Sequence, residues 1–422
     1  MERFIKKRLD NGLNVYLYPT KKFKTLTFSF FIHRNLEKEN ATKNALLPFV
    51  LKRGTKSLPT ARKLSRYLES LYGADLGADV VKKGERHIIQ ILLDVVNPDY
   101  LGQNGDFLDK CLEIFREMIL EPYLEEGSFK KEYVEQEKDV LKRIIESLFN
   151  DKYNYAIERC LQEMCKDEPY SIYKYGSIDD LAGINEKNLY EYYLEIIKTS
   201  PMDVFVVGDF NVETICEKLN NLFKFQHSEI PLKPVSVKKE ILEERFVEEK
   251  QDVNQGKLSI GLRTNVKYGD EDFYALLVLN SILGGGPYSK LFQNVREKAS
   301  LAYYAFSRLE KSKGIMLISS GIDFENLDKA IDIIKIQLED IKKGNITNYE
   351  YESSLKDLIN SLKQAKDSAP SIISLFLDGV INKIEENIDD YIEKIRRVTI
   401  DDVVRVAQNI KLDTIYFLNK KD

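Results

Sequence analysis

Hydrophobic and polar positions along the chain run through the same order twice. Residues 13–19 and 25–33 alternate as half-buried strands on either side of a lysine-rich turn. Residues 43–52 are apolar along one side, and Thr60 is placed to cap a helix, TARKLSRYLESLYG, that stops at Gly73. Alternation over 74–81 and 87–95 predicts two more strands. Helical periodicity then covers 100–120, 128–148, 154–165 and 185–197. The run DVFVVGD, from Asp203 to Asp209, predicts a buried strand, followed by a helix over 212–223.

A proline-bearing basic segment, HSEIPLKPVSVKKE from His227 to Glu240, separates this round from the next. The second round predicts a strand over 257–263 and a helix over 272–283. A glycine-rich loop, a helix and a strand follow within GGGPYSKLFQNVREKASLAYY, Gly284 to Tyr304. Then come a strand over 314–321, long helices over 326–343, 348–368 and 371–383, and a helix over 400–409 leading into a strand over 414–418. Ala45-Leu46-Leu47 and Ala275-Leu276-Leu277 hold matching slots in the two rounds. The expected fold is therefore α+β: two homologous domains, each a mostly antiparallel sheet with helices on one face, facing each other across a cavity. Residues 1–226 form the first, 227–240 the linker and 241–422 the second.

Length agrees with this, since 422 residues exceed one ordinary core. The net charge of −5, with both signs interleaved, argues against nucleic acid as a partner. No apolar h-region follows the basic residues of the first segment, and no run is long enough for a membrane span, which predicts a cytoplasmic protein. Cys111, Cys160, Cys165 and Cys216 form no C-x-x-C pair, so buried free thiols are expected rather than disulfides or thiolate zinc. His33, His87 and His227 are far apart and predict no shared site.

Three glycines before a helix raise the question of a phosphate loop, because backbone N–H groups at a helix start can bind anions. The run continues Pro287-Tyr288-Ser289-Lys290, with neither Gly-Lys-Ser/Thr nor G-x-G-x-x-G at the required place. Close backbone packing is the better use for these glycines.

Several short pieces, taken in order, resemble the inverted-motif zinc peptidases: the pitrilysin, insulin-degrading enzyme and mitochondrial processing peptidase family. They are Leu9-Asp10-Asn11-Gly12-Leu13-Asn14-Val15, Arg53-Gly54-Thr55, Val207-Gly208-Asp209, and Gly284-Gly285-Gly286 with Ser289, Leu291-Phe292, Arg296-Glu297-Lys298 and Leu301-Ala302-Tyr303. The resemblance implies a zinc site H-x-x-E-H on the first helix, with a carboxylate ligand from a later one. Counted back from Arg53-Gly54-Thr55, that motif falls on Ala45-Leu46-Leu47-Pro48-Phe49. Ala45 and Phe49 have no nitrogen to offer, and Pro48 stands where the general base would be. In the later helix Glu137 matches the first carboxylate slot, but the ligand position seven residues on is Ile144. No metal is expected in this chain, and Glu137 is expected to be a solvated helix carboxylate.

The resemblance further implies that Arg296 and Tyr303, seven apart, hold substrate. Arginine offers a fixed fork of donors, and a phenol can donate to a developing oxyanion. Because adjacent strand residues face opposite ways, a shift of one would exchange Tyr303 for Tyr304. The expected role is that of a noncatalytic subunit in a heterodimer with a paralogous peptidase carrying H-x-x-E-H and the zinc, together processing a peptide or small protein. Pairs of this kind include the Firmicutes one associated with elongation factor P modification. The alternative is a purely structural or peptide-binding family member.

Overall fold

The computed structural model describes residues 3–102, 105–225, 228–241 and 243–421. His227 lies outside the described residues. The chain divides into two compact units. The first comprises Met1–Glu146, Ile172–Lys233 and Asp367–Ser374; the second comprises Ser147–Ser171, Pro234–Lys366 and Leu375–Asp422.

In the first unit the strands are β1 (Ile5–Arg8), β2 (Asn14–Pro19), β3 (Thr25–Asn35), β4 (Asp75–Lys83) and β5 (Arg86–Val96). A two-residue pair, β6 (Leu124–Glu125) with β7 (Ser128–Phe129), precedes β8 (Met202–Gly208). The sheet order is β1-β2-β8-β3-β5-β4, and only β2 and β8 run parallel. Register brings Phe28 opposite Leu93 and Val206, and Phe30 opposite Ile91 and Val204. These residues share one face and join a buried core with Leu112, Phe115, Leu189 and Ile196 from helices Phe107–Leu120 and Glu186–Thr199. Burying each such side chain stabilises by about 1.5–3 kcal/mol, so alternation fixes the register strongly.

The second unit contains β9 (Arg245–Gln251), β10 (Gly256–Arg263), β11 (Ala302–Glu310), β12 (Ile315–Ile322) and β13 (Lys411–Lys420), in the order β11-β12-β10-β13-β9. Here β9 and β13 are the parallel pair. The internal repeat is visible strand for strand: β2-β8-β3-β5-β4 corresponds to β9-β13-β10-β12-β11, and in each the first two strands are the parallel ones.

Helix Lys152–Met164 belongs to the second unit, where Ile157, Cys160, Leu161 and Met164 pack with Ile315, Leu317, Tyr416 and Leu418. Gly261 admits it, since a Cβ there would lie 2.5 Å from the Met164 sulfur. A buried ion cluster follows. Glu168 accepts two bonds from the Arg263 guanidinium, at 2.6 and 3.1 Å, and pairs with Lys313 at 2.7 Å and Lys239 at 2.8 Å. Arg263 also donates from Nε to Asp413 at 2.9 Å. Burial alone would raise the Glu168 carboxyl; Arg263, Lys239 and Lys313 outweigh it and hold the group at about 2.

Several predicted elements shift. The helix read over 100–120 begins at Phe107, after a short turn Pro98–Tyr100 capped by Asn97. The one read over 128–148 is Lys131–Asn150, because Ser128 and Phe129 are spent in pairing with β6. Strands β1 and β9 and helix Ile388–Arg396 have no counterpart in the sequence reading.

Candidate functional site

Helix Lys38–Leu51 carries the positions that the family resemblance assigns to the metal. It runs through Pro48, whose missing N–H cannot donate to the Asn44 carbonyl. Ala45, Leu46 and Leu47 are all 0% exposed and belong to the core. Phe49 is half-buried against the same core, with the Lys52 ammonium 5.0 Å from its ring centroid. The site is thus filled with apolar side chains, and what the helix presents is packing.

Glu137 is buried, not solvated as expected. Its Oε1 lies 2.6 Å from Arg53 Nε, and Arg53 also donates to Gln136 and lies over the Tyr133 ring at 5.5 Å. Burial pushes the Glu137 carboxyl up and Arg53 pulls it down. The sequence missed this because a strip of helix shows its charges but not a partner that folding brings from a distant loop. Ile144 is half-buried on the same helix.

A polar cluster adjoins these residues without having been foreseen. Tyr192 donates to Asn44 Oδ1 at 2.8 Å, Asn44 Nδ2 lies 3.3 Å from His87 Nδ1, and His87 Nε2 lies 2.8 Å from the Lys174 carbonyl. Burial lowers the His87 imidazole to about 4. The ring is therefore neutral near pH 7; its Nε2–H donates to the carbonyl, which can only accept, and Nδ1 accepts from the Asn44 amide. His33 is also buried, its Nε2 2.9 Å from Asp203 Oδ2 on the neighbouring strand. Neither histidine has a second histidine as partner in these contacts, and neither pairing was readable from spacing.

In the second unit the glycine-rich loop follows helix Phe273–Gly284. A Cβ at Gly284 would fall well inside contact distance of the Ser307 backbone nitrogen, so this glycine lets the helix end press directly on β11. Lys290 is buried, paired with Glu350 at 3.1 Å and donating to the Asn345 carbonyl at 2.6 Å. Its charge is occupied inside the fold.

Phe292–Lys298 forms a π-helical turn, a geometry over-represented at functional sites. It carries Arg296, which lies over the Phe292 ring at 4.6 Å and 3.5 Å from Glu297, with a side chain 43% exposed. Strand β11 follows. Ala302 pairs with Ile322 and Tyr304 with Gly321, leaving Tyr303 as the extra residue of a β-bulge. Tyr303 is 66% exposed, while the Tyr304 hydroxyl is buried and burial raises that phenol to about 12. Of the two tyrosines, Tyr303 is the one offered to solvent.

The family described as the peptidase M16 inactive domain matches over residues 183–358. Among curated relatives, the probable inactive metalloprotease YmfF of Bacillus subtilis is 38% identical over 412 residues, covering 98% of this chain and 97% of the relative. The chain belongs to the pitrilysin-type peptidase M16 family. This M16 chain is also 22% identical to the uncharacterized zinc protease YmxG of Bacillus subtilis, over 96% of the chain and 92% of the relative. The crystal structure of a conserved protein from Enterococcus faecalis matches it with a TM-score of 0.91 at 32% identity, covering 99% of each chain.

As an M16 member the chain is an inactive-metalloprotease homologue, and its residues do not fit the family's zinc. Of Ala45, Phe49, Glu137 and Ile144, only Glu137 has a donor atom, and that carboxylate is engaged by Arg53. Among the described residues no group of three His, Cys, Asp or Glu side chains is placed to hold a metal ion. No helix among them is long and apolar enough to cross a membrane.

Proposed function

We propose that this chain is the noncatalytic subunit of a two-component zinc peptidase, assembled as a heterodimer with a paralogue that carries H-x-x-E-H and the metal. In this reading Arg296 and Tyr303 hold the peptide substrate while the partner hydrolyses it. The observation that supports it most is the bulge: an aromatic alcohol 66% exposed on an edge strand, which follows a π-helical turn carrying a half-exposed arginine. A tyrosine this exposed contributes little to packing, whereas a donor aimed outwards can meet a peptide carbonyl or its oxyanion.

The test uses the assembled complex with its paralogue. Tyr303→Phe removes one donor, and if that donor meets the oxyanion, turnover falls by about 10²–10³. Arg296→Ala is expected to raise KM before it lowers kcat, because a cation that holds the ground state contributes uniform binding. Both variants should still assemble. Wild-type turnover in both refutes the reading and leaves a structural or peptide-binding role. The pair associated with elongation factor P modification offers one setting in which to seek the substrate.

A further inference from the structure

Two tyrosines stand side by side on β11, chemically identical, and only one is presented. The ladder between β11 and β12 is regular from Glu310 opposite Ile315 back to Tyr304 opposite Gly321, and only beyond that pair does the extra residue enter. Gly321 is itself opposite Lys257 on β10. Tyr304, Gly321 and Lys257 thus form one row across three strands, their Cα–Cβ directions on the same face. With no side chain at the centre, the Tyr304 ring occupies the gap: a Cβ at residue 321 would lie 2.5 Å from Tyr304 Cε1 and 2.8 Å from Gln255 Oε1. The ring is enclosed further by Tyr153, edge-on at 5.4 Å between centroids, by Phe306 at 6.0 Å, and by the Lys257 ammonium 5.7 Å from its centroid. An aromatic laid over a glycine on the next strand is a recognised way of pinning register.

We propose that Tyr304 and Gly321 are positioning residues: the ring seated in the gap at Gly321 is the last pinned pair of the ladder, places the extra residue at 303, and so presents the Tyr303 phenol outwards. The functional importance of that presentation rests on the reading of Tyr303 given above; the geometric part does not. Without the Tyr304 ring, the Tyr303 ring can fill the vacant gap by moving the bulge along the strand. With a methyl group at residue 321, the Tyr304 ring is expelled.

Nitration of the isolated chain with tetranitromethane, located by mass spectrometry, reads each tyrosine separately. In the wild type Tyr303 is modified in preference to Tyr304. Tyr304→Ala is expected to lower modification of Tyr303 several-fold, Gly321→Ala to make Tyr304 reactive, and Tyr304→Phe, which keeps the ring, to leave Tyr303 as in the wild type. Should Gly321→Ala fail to fold, the contrast between Tyr304→Ala and Tyr304→Phe decides alone. Unchanged Tyr303 reactivity in Tyr304→Ala overturns the proposal. In the complex with the zinc-bearing paralogue, Tyr304→Ala should lose kcat as Tyr303→Phe does, and Tyr304→Phe should not. A shift in nitration without loss of turnover supports the positioning and refutes the functional reading of Tyr303.

Discussion

Replacing Glu168 by glutamine keeps the shape of the side chain and removes the charge on which two buried cations of the second unit, Arg263 and Lys313, converge. Arg263 and Lys313 are 0% exposed at their side chains, and both pair with this one carboxylate. Breaking a buried pair by removing one partner costs about 3–5 kcal/mol, because the charge left behind loses the carboxylate that offset its desolvation; Arg263 keeps its bond to Asp413. Linkage gives an independent figure. Glu168 is held at about 2 in the fold against an ordinary 4.5, a difference worth about 3.4 kcal/mol. Because the folded value is the lower one, this stabilisation is complete above pH 4.5 and is lost as pH falls towards 2; about 1.4 kcal/mol of it remains at pH 3. The sequence has no tryptophan, so urea unfolding is best followed by far-UV circular dichroism. The wild type should exceed Glu168→Gln by about 3–5 kcal/mol near neutrality, and the gap should narrow by about 2 kcal/mol at pH 3. Equal unfolding midpoints at pH 7, or a gap that does not change with acid, would refute the reasoning.

Other outcomes follow from the remaining sites. His87, lowered to about 4 by burial, must charge on acidification, so stability present above its ordinary 6.5 is lost as pH falls towards 4; between pH 7 and pH 5 this is worth about 2 kcal/mol. A His87→Gln variant should lack that component of the pH dependence, and an identical slope in denaturation at the two pH values would exclude it. Gly284→Ala places a methyl group against the Ser307 nitrogen and should destabilise by at least the ~1–3 kcal/mol typical of overpacking, measured by thermal unfolding; a neutral result would mean that the helix end is free to withdraw. Elemental analysis of the purified chain should find far less than about one zinc per chain, and a chelator-resistant zinc that disappears in Glu137→Ala would overturn the account of the first helix.

What the sequence reveals and what it conceals divide along physical lines. Strand β5 alternates between more and less buried positions, so alternation marks it, whereas β3 and β12 are buried along nearly their whole length and show as short apolar-rich runs. Strand β1, Ile5-Lys6-Lys7-Arg8, is exposed throughout, and β9 is mostly charged. Both exist because a neighbouring strand offers backbone hydrogen bonds, which side-chain pattern does not record. That Ala45, Phe49 and Ile144 offer no metal ligand is legible because ligation depends on residue type. The engagement of Glu137 by Arg53 is not, since it depends on where a loop returns. Likewise Arg296 and Tyr303 can be matched by spacing, but the choice between Tyr303 and Tyr304 turns on a bulge in the pairing of β11 with β12, which spacing does not record.

The division of the chain into units also bears on how it is made. The first unit takes Asp367–Ser374, long after its preceding segment ends at Lys233. At roughly 5–20 residues per second, a ribosome needs about 7–27 s to cross that interval. Throughout it the nascent first unit lacks its last piece, while Ser147–Ser171, already synthesised, waits for the strands of the second. Synthesis and folding of the two units therefore finish late and nearly together, and a chain severed within residues 228–240 would leave each fragment carrying a segment that belongs to the other.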